Sequence, residues 1–160
     1  MTENNGINNI AILQHNLHKN QSRTDSILSD PSSSNYTMLI LQEQYWSDYT
    51  ESSSIHESWT LVESGSYPNC PPWSAIYINN HILDTSAFRI ITFPLSDVTI
   101  VAINTMNSKP IMIINVYKPS DQNFITPLME YLQHNIDSTQ YHVIVIASDF
   151  NLHHPLWNPS

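Results

Sequence analysis

The segment VIVIASDFNLHHPLWNPS closes the chain, and its polar residues stand where a buried strand should simply end. An apolar run, Val143 to Ala147, leads directly into Ser148, Asp149, Phe150 and Asn151. Asp149 and Asn151 are two apart, so in extended backbone they face the same way. Three further strand-like runs end in comparable groups: Asn16 after ILQH, Glu43 after LILQ, and Tyr117 after IINV. If these strands run in one direction, their ends form one rim, the place where sheets of α/β proteins take ligands. Two carboxylates, two amides and a phenol make a site of hard oxygen donors. Mg²⁺ suits such a site, held by one or two carboxylates together with water and phosphate oxygens. The chemistry that follows is phosphate-ester hydrolysis, with charge drawn off the phosphoryl oxygens and a carboxylate aligning or deprotonating water.

Taken singly, each residue has a plainer role. An acid at a strand end is usually solvated, an asparagine there is a turn former, and a tyrosine packs its ring and exposes its hydroxyl. The combination on one rim carries the argument. The histidine pairs, His15 with His18 and His153 with His154, lack the spacing of a zinc site, and none builds one around Cys70. His153 and His154 instead shape the rim, with Trp157 packing beneath, and they join Lys118 as candidate substrate contacts.

Eight strand-like runs position these groups: residues 9–16, 36–43, 59–64, 74–79, 88–93, 97–104, 110–118 and 141–148. Each has strand length and is rich in Ile, Val, Tyr and Phe. Several are apolar on both faces, as in a sheet covered on both sides. Two segments read as helices, 20–30 and 121–137, the second with Phe124, Leu128, Tyr131, Leu132 and Ile136 at helical spacing and Asp121 as N-cap. PSSSN (31–35) and YPNCPP (67–72) read as loops. The order is β-α-β, a run of strands, then β-α-β. The helix-free stretch 59–118 argues against a single doubly wound sheet and for a layered α/β (α+β) architecture in one domain, 1–160.

The chain has 160 residues, 41% of them hydrophobic, enough for one real core. A net charge of −9, from 5 basic and 14 acidic residues, argues against non-specific binding to nucleic acid and leaves room for an acidic metal site with a few basic contacts. The two glycines, Gly6 and Gly65, leave no glycine-rich phosphate loop. A lone cysteine suits a reducing, intracellular setting. No apolar run is long enough to span a bilayer.

Four stretches, LQHNLHKN, LILQE, INVYKPS and SDFNLHHPLWN, resemble successive motifs of the endonuclease/exonuclease/phosphatase superfamily. They most resemble its branch in non-LTR (LINE-type) retrotransposons, where Gly-Asp-Phe-Asn is followed by His-His-Pro-x-Trp. The resemblance runs from about residue 9 to 160. It implies a four-layer α/β sandwich, two mixed β-sheets flanked by helices, and a Mg²⁺-dependent DNA endonuclease, with Mn²⁺ as a possible substitute. Asn16 and Glu43 would hold the metal, Glu43 directly. Tyr117 would hydrogen-bond the scissile phosphate. Asp149 would align or deprotonate the water, or protonate the leaving oxygen. Asn151 would contact the phosphate and orient Asp149. The implied substrate is one strand of duplex DNA, nicked to leave a 3′-hydroxyl that primes reverse transcription, with a reverse transcriptase domain in the parent reading frame and a nuclear site of action.

There are two departures. Ser148 stands where the family has Gly, and its side chain could crowd an approaching phosphate. The family pattern also continues through a further Asp and a Ser-Asp-His motif that would lie past Ser160. The expectation is therefore the front portion of such a domain, a partial sandwich inactive by itself. Two alternatives stand beside it: an inactive remnant or binding-only fragment of the same fold, and a phosphoesterase of the same superfamily acting on a substrate other than nucleic acid.

Overall fold

The computed structural model describes residues 9–64, 71–95, 97–105, 109–117 and 125–149. All eight expected strands are present. They are β1 (Ile12–Asn16), β2 (Met38–Gln42), β5 (Trp59–Glu63), β6 (Ser74–Asn79), β7 (Phe88–Ile91), β8 (Val98–Ile103), β9 (Ile111–Tyr117) and β10 (Val143–Asp149). Two short strands that the sequence did not announce, β3 (Trp46–Ser47) and β4 (Ser52–Ser53), pair as a small hairpin. Both helices are present, α1 over Gln21–Ser29 and α2 over Ile125–Asn135.

Local chemistry accounts for the helix ends. The Asn20 side chain accepts the Arg23 N–H at 3.0 Å and caps α1. Asp30 ends α1 and at once accepts the Ser32 N–H at 2.8 Å, while Pro31 supplies a backbone angle ready for a turn. Pro31–Asn35 is therefore a turn of 3₁₀ helix rather than the loop expected of PSSSN. Pro127 is the third residue of α2, where a missing N–H costs little. The proposed cap Asp121 and most of YPNCPP lie outside the described residues.

Two four-stranded mixed sheets result, ordered β1-β2-β6-β5 and β10-β9-β8-β7. In each, one parallel pair closes a β-α-β unit: β1 with β2 across α1, and β9 with β10 across α2. The sheets pack face to face over Met38, Ile40, Ile76 and Ile78 from one side and Val101, Ile103 and Ile113 from the other. The opposite face of the first sheet, Leu39, Leu41, Ala75 and Tyr77, is covered by Leu17 and by Leu28 of α1. That of the second, Ile100, Met112, Ile114 and Val116, is covered by Leu128 of α2 and by Tyr141. The order is helix, sheet, sheet, helix, which is the four-layer sandwich expected. Among the described residues no helix is long and apolar enough to cross a membrane.

The apolar contact between the sheets gives way to a polar layer toward one end. Buried Gln42 donates to Oδ1 of buried Asn115 at 2.6 Å, and Asn115 donates to the carbonyls of Leu41 and Ala75 at 2.8 and 2.9 Å. Beside it, Ser74 and Thr99 join hydroxyls at 2.9 Å. These bonds tie β2 and β6 to β9 and β8. A buried polar group stripped of its partner costs about 1–3 kcal/mol, so Asn115→Ala, which strips several, should destabilise the fold by roughly 3 kcal/mol. The check is urea unfolding, with the midpoint falling at unchanged slope. A loss below about 1 kcal/mol would show that this layer does not hold the sheets together.

Candidate active site

The two parallel pairs bring four of the expected residues to one rim. Register decides which way they face. Asn16 lies opposite Gln42, and Asp149 lies opposite Tyr117. Cross-strand partners share a face, and residues two apart on a strand share it too. Ile12 and Gln42 belong to the face between the sheets, and so therefore does Asn16; Asn115 and Ile113 belong to it, and so therefore do Tyr117 and Asp149. Below them lies the polar layer of Gln42 and Asn115.

Glu43 reaches the rim differently. Strict alternation would send it to the face of Leu41, under α1. Instead β2 stops at Gln42, and Glu43 takes φ = 47°, the left-handed region that side chains other than glycine rarely occupy. The turn brings its carboxylate back over the strand ends, where Oε1 accepts a hydrogen bond from Asn16 Nδ2 at 3.1 Å. His18 and Lys19 are also left-handed, at 53° and 56°. Such residues cost on the order of 1–3 kcal/mol each and gather where function requires them. The surrounding chain holds the geometry. The Glu43 N–H donates to the Trp73 carbonyl at 2.9 Å, and its own carbonyl accepts the Lys19 N–H at 2.7 Å.

Asn16 is the hub. Its Nδ2 donates to Glu43 and also to Oδ2 of Asp149, and its Oδ1 accepts the His18 N–H at 2.9 Å. One amide nitrogen thus bridges two carboxylates that come from different sheets. The Tyr117 hydroxyl donates to the Glu43 carboxylate, and its pKa is pushed up to about 12. Burial contributes most, followed by the charge of Glu43, the hydrogen bond to it, and the charges of Asp149 and Asp97. The phenol therefore keeps its proton throughout the neutral range and remains a donor.

Sequence reasoning missed Asp97. The Tyr117 N–H donates to its carbonyl at 2.9 Å, and the register of β8 on β9 sets it across from Tyr117. Burial pushes its carboxyl up to about 6, and Oδ1 has no hydrogen-bond partner among the described residues. The sequence sign was an acid opening a buried strand, the mirror of the acids that end them. Ser148 needs a correction. It pairs with Val116, on the face toward α2, so its side chain lies on the opposite side from Asp149 and does not crowd the rim. Asn151, Lys118, His153 and His154 lie outside the described residues.

Among the described residues no three His, Cys, Asp or Glu side chains converge to hold a metal ion by themselves. Two carboxylates with an amide converge, and a cation held at this rim would take its remaining ligands from water or phosphate. The donor set fits that use. The two carboxylates present hard oxygens, whereas the amide between them presents Nδ2, so Asn16 would add its Oδ1 to a cation only by turning its side chain and releasing the His18 N–H.

Comparison with solved structures identifies the architecture. The chain superposes on the endonuclease domain of TRAS1, a telomere-specific non-LTR retrotransposon, with a TM-score of 0.67 at 16% identity, covering 93% of this chain and 62% of that one. The chain has the endonuclease/exonuclease/phosphatase fold. AP endonuclease LMAP from Leishmania major matches at a TM-score of 0.53 and 14% identity, over 89% of this chain and 55% of that one. ANGEL2, a 2′,3′-cyclic phosphatase, matches at 0.56 and 16%, over 91% and 54%. The chain spans less than two thirds of the length of each. No family model and no curated protein matches it. Within the endonuclease/exonuclease/phosphatase fold, the rim with Asn16, Glu43, Tyr117 and Asp149 is where both parallel pairs end.

Proposed function

We propose that this chain carries the cation-holding and water-aligning part of a Mg²⁺-dependent DNA endonuclease of a retroelement, one that nicks a single strand of a duplex in the nucleus in partnership with a reverse transcriptase domain. The observation that carries the reading is the bridge of Asn16 between Glu43 and Asp149, with the Tyr117 hydroxyl on Glu43. The likeness to the TRAS1 endonuclease domain supports the choice of DNA over other phosphate esters. Glu43 and Asn16 would hold the cation, which when bound draws charge off the phosphoryl oxygens. Asp149 aligns a water and takes its proton. Tyr117, protonated at neutral pH, donates to a non-bridging oxygen of the scissile phosphate. Asn16 spaces the two carboxylates so that they do not simply repel.

These groups serve the attack on phosphorus. The departing oxygen needs help of its own, unless it is stable as an anion. The test is therefore a diester whose leaving group needs no proton, bis(p-nitrophenyl) phosphate. The chain should release p-nitrophenolate in Mg²⁺ or Mn²⁺ and stop when a chelator is added. Release that ignores the metal would overturn the reading, and no release at millimolar metal would overturn it in favour of a fragment that only binds.

A further inference from the structure

The five basic residues are distributed unevenly in this acidic chain. Lys109 donates to the Thr139 carbonyl, and Arg89 donates to the Tyr141 hydroxyl at 2.8 Å. Both lie at the far end of the second sheet, where β9 and β10 begin. Arg23 lies on α1, and Lys118 is outside the described residues. Lys19 is different. Its backbone N–H is bonded to the Glu43 carbonyl, and its ammonium sits 3.9 Å above the centre of the Trp73 ring. The Trp73 carbonyl in turn accepts the Glu43 N–H. The two members of this pair therefore clasp the backbone of Glu43 from both sides, which sets the ammonium beside the turn that carries Glu43 to the rim.

An ammonium over an indole face is attracted by the ring quadrupole. It is not neutralised by it, and its N–H groups stay available to an acceptor. Lys19 is exposed and Trp73 half-buried, so an anion can reach the pair from solvent. A net charge of −9 repels a polyanion overall. A strand that reaches two carboxylates must therefore meet positive charge locally, and meet it already ordered. We propose that Lys19, seated on Trp73, binds a backbone phosphate of the nucleic-acid strand next to the one at the rim. The identity of the strand rests on the endonuclease reading; the phosphate site rests on the pair itself.

Two measurements on the full chain separate these. In the first, a fluorescent DNA duplex is followed by anisotropy across a salt series. Lys19→Gln should flatten the slope of log affinity against log salt by about one, the signature of one lost phosphate contact. Lys19→Arg, which keeps charge and stacking, and Trp73→Phe, which keeps an aromatic face, should retain the wild-type slope. In the second, the Trp73 indole N–H signal, assigned by its loss in Trp73→Phe, is followed by NMR while a dinucleotide monophosphate is added. It should move in wild type and stay still in Lys19→Gln. If the duplex binds and Lys19→Gln leaves the slope unchanged, the phosphate contact is wrong and the endonuclease reading survives. If the duplex does not bind but the dinucleotide moves the signal, the phosphate site stands and the DNA reading falls. If neither ligand binds wild type, both fall.

Discussion

Asp149→Asn is expected to lower the metal-dependent hydrolysis of bis(p-nitrophenyl) phosphate by roughly 10²–10⁴ while leaving Mn²⁺ affinity nearly unchanged. The substitution preserves shape. The amide that replaces the carboxylate can still offer an oxygen to Asn16 Nδ2, so the bridge between the sheets survives and only the proton acceptor is lost. Glu43→Gln should do the reverse at the level of binding. It keeps an acceptor for Asn16 and removes the charge, and Mn²⁺ affinity, read by NMR relaxation enhancement of water, should fall about tenfold or more. Its rate should recover in part at saturating metal, whereas that of Asp149→Asn should not. The pairing separates two roles that stand side by side at the rim. If the two variants lose affinity equally, the carboxylates share the cation as equals and the water has another base. If neither loses affinity, the cation sits elsewhere.

Much of this arrangement was legible in the sequence because it depends on short-range rules. A buried strand that ends in an acid or amide is conspicuous, and the β-α-β order at both ends of the chain predicts two parallel pairs with their C-terminal ends aligned. Asn16, Tyr117 and Asp149 follow from that. Glu43 does not follow from alternation, which would bury it under α1. It reaches the rim through a left-handed turn that no propensity announces, stabilised by hydrogen bonds to Lys19 and to Trp73, both outside its own strand. Asp97 was missed because it opens its strand, and only antiparallel register sets it across from Tyr117. The hairpin of β3 and β4 was missed because WS and SS carry no periodicity. Lys19 on Trp73 is a contact between distant loops, and sequence patterns do not report such contacts. The expected crowding by Ser148 came from comparing residue types without the register that turns its side chain toward α2.

Supercoiled plasmid should stay supercoiled when incubated with the wild-type chain in Mg²⁺, under conditions where the activated diester is hydrolysed. The two substrates differ in what departs. A sugar 3′-oxygen leaves as a strongly basic alkoxide unless a proton or a fixed positive charge meets it, and losing one such preorganised stabiliser costs about 10²–10³ in rate. The described rim offers little to fill that role. Tyr117, with its pKa pushed up to about 12, is a weak acid already engaged with Glu43. Asp97, pushed up to about 6, is mostly ionised at neutral pH. On the proposed reading, Glu43 and Asp149 are taken up by the cation and the water. Nicking by wild type that disappears in Asp149→Asn would show that some group does protonate the leaving oxygen, and its pH dependence would help to name it. An acid works in its protonated form, so if Asp97 supplies the proton, the rate should fall as pH rises above about 6 and should be lost in Asp97→Asn. The same fall with pH in a chain indifferent to Asp97→Asn would assign the proton to a histidine, with His153 and His154 the first to replace.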